Sequence, residues 1–147
     1  MKRNNLLIIL MLILTALLAA ACATASADVA AKPQPALIEK IEGTELNRLT
    51  LTEQAAARLD IQTAPAREET VNGATHMVVP YSAVIYDLTG GTWVYISETP
   101  LTFVRRQVTL DRIEGDLALV ADGLDLGTEV ATVGVPELYG ADAGITK

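Results

Sequence analysis

Ser82 and His76 are the residues here with the chemistry for nucleophilic catalysis, and they stand six positions apart. A serine nucleophile needs an adjacent base and oxyanion donors. The stretch around Ser82 reads PYSAV, which lacks both glycines of the G-x-S-x-G elbow. An even offset on one strand would put both side chains on one face, but Pro80 lies between them and breaks such a strand. His76-Met77 offers an imidazole and a thioether, a pair that suits copper. His76 is the only histidine, and Met77 is the only methionine beyond the N-terminal apolar segment, so further ligands are missing. The carboxylates Asp87, Asp111, Glu114, Asp116, Asp122 and Asp125 are scattered over turns. DGLDLGTE, residues 122–129, departs from the calcium-loop pattern at Gly123 and Leu124. TGG at 89–91 lacks the remainder of a phosphate loop. The sequence therefore assigns no catalytic residue, no metal site and no cofactor, and the expected protein is not an enzyme.

Cys22 is the one remaining reactive side chain. A lone cysteine excludes an internal disulfide and a cysteine-based zinc site. Its surroundings give it another use. Lys2 and Arg3 precede LLIILMLILTALLAAA, residues 6–21, which is apolar apart from Thr15. That is the layout of an export signal. LAAAC resembles a bacterial lipobox, which would leave Cys22 as a lipidated N-terminus. Cleavage after ASA, residues 25–27, and retention of the segment as an anchor are the two other outcomes. The expected location is outside the cytoplasmic membrane, held to a lipid surface. Processing at Cys22 removes Lys2 and Arg3 and takes the net charge from −7 to −9. So acidic a chain excludes nucleic acid as a partner and disfavours anionic lipid.

The elements that must position everything else follow the signal. Residues 22–36 hold small residues with Pro33 and Pro35, and read as an extended tether. One domain is expected over 37–140, with 141–147 as a tail. Leu37, Glu39 and Ile41 alternate loosely with Ile38, Lys40 and Glu42, as in an edge strand. Thr52 is placed to cap a short helix whose apolar side is Ala55, Ala56 and Leu59. Asn72-Gly73 predicts a tight hairpin turn. Beyond it, short apolar segments recur between TGG, ETP, EGD and DGLDLG breaks. This spacing predicts an antiparallel β-roll or barrel, mainly β, with one short helix. Val79–Leu88 and Thr92–Ser97 read as two strands joined at Gly90-Gly91. Trp93 and Tyr95 alternate with Val94 and Ile96, so the second strand is apolar on both faces and belongs in the middle of the sheet. In FVRRQVTL, Arg106 interrupts the face of Val104, Val108 and Leu110, while Phe103 and Arg105 share the other. A charge on an apolar face marks an edge, a strand end or a partner surface.

The order of these segments is similar to that of a known family. VPYSAVIYDLTGGTWVYI, FVRRQVTL and GDLALVADGLDLGTEVATVG resemble the membrane-proximal domain of periplasmic adaptor proteins, the membrane fusion proteins of tripartite RND-type efflux pumps. The matching residues are Val79, Pro80, Ala83, Val84, Val94, Tyr95, Arg106, Val108, Gly123, Leu124, Gly127, Val130 and Gly134, across 79 to about 138. LTLTEQAAARLDIQTAPAREETV, 49–71, resembles the start of heavy-metal-type adaptors, with Asp60 where they carry glycine. The resemblance implies that these two stretches join in one domain. It also implies that the barrel, lipoyl-like and hairpin parts that separate them in full-length adaptors are missing here. The implied protein is a membrane-anchored, non-enzymatic module that docks on a transporter permease or another envelope complex, with Arg105 and Arg106 at the partner surface. The alternative is an exported lipoprotein that binds a small ligand or cell-wall polymer in a cavity near Tyr81, Tyr86 or Trp93.

Overall fold

Alternation of apolar and polar residues drives most of this chain into strands, and glycine-rich turns decide where they end. The computed structural model describes residues 34–145. The signal segment, Cys22 and most of the expected tether lie outside them. In chain order come β1 (Ala36–Lys40), β2 (Asn47–Leu51), α1 (Glu53–Arg58), β3 (Gln62–Pro65), β4 (Arg67–Val71) and β5 (Ala74–Pro80). A 3₁₀ turn at Tyr81–Ala83 leads to β6 (Ile85–Tyr86), β7 (Thr92–Thr99), β8 (Thr102–Glu114), β9 (Leu117–Asp122), β10 (Glu129–Val133) and α2 (Val135–Asp142).

The protein is mainly β, with a curled, barrel-like antiparallel sheet. Its main path runs β3-β10-β7-β8-β9-β5-β4, with β1-β2 added beside β8 and β6 beside β7. The two ends of that path are neighbours in sequence, because only Ala66 separates β3 from β4. Ala66 donates its N–H to Thr128 O and accepts from Gly127 N, both at 2.8 Å. One bent segment, 62–71, thus pairs β10 with its first half and β5 with its second. The path of pairings returns on itself there. β8 supports the curl by changing partners along its length. Residues up to Val108 pair with β7, and residues from Thr109 pair with β9. Register shifts beside Leu110 mark where β8 bends.

Two packed cores follow. Inside the curl lie Ala66, Val79, Val94, Ile96, Val104, Val108, Ala118, Val120 and Val130, drawn from β5, β7, β8, β9, β10 and the junction of β3 with β4. Each valine hidden this way stabilises the fold by roughly 1.5–3 kcal/mol. Outside it, Tyr95, Phe103 and Ala131 pack against Leu49 and Leu51 of β2 and against Val135, Leu138 and Ala141 of α2. β7 is therefore covered on both faces, as its sequence predicts, and Val94 and Tyr95 are fully buried.

Most local expectations match. Thr52 caps α1 by accepting from Ala55 N at 3.1 Å. Asn72 takes a φ of 52° and turns β4 into β5. Asp60 takes a φ of 49°, a left-handed conformation that aspartate tolerates. Three expectations change. Val79–Leu88 is not one strand, because the 3₁₀ turn after Pro80 divides it. Ala36 belongs to β1 and not to the tether. The short helix α1 is joined by a second, α2, which extends to Asp142, so 141–147 is not simply a tail. Pro136 and Gly140 hide that helix in the sequence. A proline is harmless in a first turn, where its missing N–H has no intrahelical acceptor. Burial of Val135, Leu138 and Ala141 supplies the stability that propensity lacks.

Candidate functional site

Arg105 and Arg106 are adjacent on a strand, so they point to opposite faces. The expected shared partner surface is thereby divided. Arg105 faces outward beside Tyr95, its neighbour across the ladder. Its guanidinium carbon stands 4.7 Å from the centre of the Trp93 ring. Its Nε lies 3.5 Å from Asp142 Oδ2, an ion pair by distance that lacks hydrogen-bond geometry. Asp142 is the hub. Its Oδ2 accepts from the Tyr95 hydroxyl at 2.7 Å, and its Oδ1 accepts from Asn47 Nδ2 at 2.9 Å. Burial, and then the bond to Asp142, pushes the Tyr95 phenol far above its ordinary pKa, so it stays a neutral donor. Arg105 is thus engaged inside the fold, tying the last turn of α2 to β8. Arg106 is different. It is exposed between buried Val104 and Val108, opposite Val94, with no ion-pair partner among the described residues.

The Arg105 face continues through Trp93 to the β6–β7 turn. Asp87 Oδ1 accepts from Thr89 N at 2.8 Å, Thr89 Oγ1 at 2.7 Å and Gly91 N at 2.8 Å. Asp87 Oδ2 accepts from the Trp93 indole at 2.9 Å. The Thr89 hydroxyl, then the Trp93 indole and the Gly91 amide, hold this carboxyl well below the usual range. Trp93 is thereby fixed between Asp87 and Arg105. Nearby, the Tyr81 hydroxyl raises the Tyr86 pKa, with burial adding to it.

A pH dependence follows. A carboxyl whose folded pKa is lowered stabilises the fold above its unfolded value, and that contribution is lost as pH falls through the folded value. The turn should therefore persist as pH drops past 3.8, the ordinary value. Emission of Trp93, the only tryptophan, should stay constant through that point. In Asp87→Asn the emission should already differ at neutral pH. A wild-type emission change centred at 3.8 or above, with far-UV circular dichroism unchanged, would count against this assignment.

The other candidates stay apart. Ser82 is exposed on the 3₁₀ turn, and His76 lies in β5 opposite Glu69, with no hydrogen bond between them. Asp111 and Glu114 pair with Arg112 at 2.6 and 3.1 Å. Asn72 and then Arg112 lower the Glu114 pKa. Among the described residues, no group of three or more His, Cys, Asp or Glu is placed to hold a metal. A shallow groove of about 240 Å³ runs along Gln34, Ala36, Leu37, Thr50, Leu51 and Thr52, away from Tyr81, Tyr86 and Trp93. No helix among the described residues is long and apolar enough to cross a membrane.

No protein-family model, curated protein or solved structure matches this chain.

Reading the sequence missed Asp142 and Asn47. Asn47 is 95 positions from Asp142, so no local pattern joins them. It also passed over the role of Asp87, although Asp followed two residues later by Thr is an Asx-turn signal that was there to find.

Proposed function

We propose that this chain is a membrane-anchored, non-enzymatic accessory module that docks on a transporter permease or another envelope transport complex, in the manner of an adaptor's membrane-proximal domain. One observation carries the reading. The two stretches that resemble adaptors, 49–71 and 79–138, pair strand to strand in a single domain. β3 lies on β10, and Leu49 and Thr50 of β2 lie on β8. A short hairpin turn at Asn72 takes the place of everything that lies between them in the family. The domain keeps a packed core without those parts, so it can serve as a docking piece. Arg106 is the residue assigned to the partner. It is an exposed cation on an acidic domain, and its own fold gives it no counter-charge among the described residues.

The test is affinity isolation of the tagged full chain from native membranes. A permease subunit should co-purify, and Arg106→Glu should lower its recovery by roughly tenfold, the effect of about 1.4 kcal/mol at a charged contact. Isolation that recovers no transporter or envelope subunit would overturn the reading.

A further inference from the structure

We propose that the Asp87–Gly91 turn is a second membrane contact, which places Leu88 in the lipid interface with Tyr86 and Tyr81 beside it at headgroup depth. The proposal rests on the reading that the chain is anchored near Cys22, and adds to it a lipid-facing tip on the folded domain.

The tip's composition stands out from the rest of the chain. From Tyr81 to Ser97 there is one charged residue, Asp87, in a chain that is 20% charged. Its carboxylate is held by four donors, from Thr89, Gly91 and Trp93. Four of the turn's five amides are bonded within it, all but that of Leu88. Thr89 N and Gly91 N donate to Asp87 Oδ1, Gly90 N donates to Asp87 O, and Asp87 N donates to Gly91 O. Unsatisfied amides are what keep ordinary turns out of lipid, because each one stripped of water costs several kcal/mol. Among its amides, this turn confines that penalty to Leu88. At its apex Leu88 is 103% exposed and shares its apolar surface with nothing in the fold. Tyr86 and Tyr81 are also exposed large side chains. An apolar ring with a hydroxyl at its tip is the side chain that settles at a membrane interface.

Lipid is within reach. Residues 22–33 between Cys22 and the described domain number twelve, and twelve residues span at most roughly 40 Å. The domain is therefore kept close to whatever surface holds its N-terminus. One lipid chain gives marginal attachment and stable attachment takes two signals, so an apolar tip has an energetic role. The chain's acidity points to zwitterionic lipid.

Trp93 reports on the tip, since it is the only tryptophan and is bonded to Asp87. The full chain is reconstituted in phosphatidylcholine vesicles whose acyl chains are brominated near the headgroup. Trp93 emission should be quenched relative to unbrominated vesicles. Leu88→Asp should lose that quenching while the protein still sediments with the vesicles. Sedimentation with unquenched Trp93 in the unsubstituted chain overturns the lipid contact alone, and leaves the tip to a protein partner. Equal quenching in Leu88→Asp overturns it as well. Failure of the chain to sediment at all overturns the anchor, and the tip proposal with it.

Discussion

An Asp142→Ala chain should be less stable than the parent by about 3 kcal/mol, read from its urea midpoint by circular dichroism at unchanged slope. Asp142 is only 5% exposed in its side chain, and three partners converge on it from three strands. Removing the carboxylate leaves the Tyr95 hydroxyl without its acceptor on a ring with no solvent access. It also leaves the Arg105 guanidinium without its counter-charge, with a buried Nε that already lacks a hydrogen bond. Losing one partner of a buried pair typically costs 3–5 kcal/mol, and the low end of that range applies because Arg105 remains 22% exposed. Asp142→Asn keeps an acceptor for Tyr95 and should lose roughly half as much. The pairing also predicts non-additivity. Once Asp142 is alanine, Arg105→Met should cost less than it does alone, because no buried ion pair is left to break. Deleting residues 141–147 should destabilise at least as much as Asp142→Ala, since Ala141 leaves the outer core as well. An Asp142→Ala midpoint indistinguishable from the parent's would mean that α2 is held by its apolar face alone.

Asp142 also marks where sequence reading stops. Strand periodicity, the Asn72 turn and the Thr52 cap are local, and each was legible because neighbouring residues decide it. The placement of β7 at the centre was legible because Trp93 to Ile96 is apolar on both faces. The circuit of pairings was not, since it depends on Ala66, a residue with no signal of its own, sitting where 62–71 bends between two partners. The site divides the same way. Alternation already puts Arg105 and Arg106 on opposite faces, but that Arg105 meets an acid on the outer face follows only from a helix end 37 positions away. Exposure of Arg106 and Leu88 likewise depends on what the rest of the chain fails to cover.

Gly123→Ala should cost about 3 kcal/mol or more and should disturb both the β9–β10 connection and β8. Gly123 has a φ of 102°, where a side chain is strained whatever the space around it. Space is lacking too. A Cβ there would lie 2.5 Å from Gln107 O and 2.9 Å from Val108 Cα. Both atoms are backbone of β8, so no change of rotamer relieves the overlap. Either β8 moves, pulling Val108 out of the inner core, or the 123–128 connection lifts away. That connection also carries Gly127 N and Thr128 O, the two groups that hold Ala66 where β3 becomes β4. Lifting it therefore loosens the circuit at its closing point. Gly127→Ala separates strain from crowding. Gly127 has a φ of 82° but nothing within 4 Å of its missing Cβ, so alanine there should cost only about 1 kcal/mol. Both glycines lie in one connection, yet the expected losses differ about threefold, because one faces solvent and the other touches a strand. Equal losses at the two positions would show that β8 and the connection separate easily.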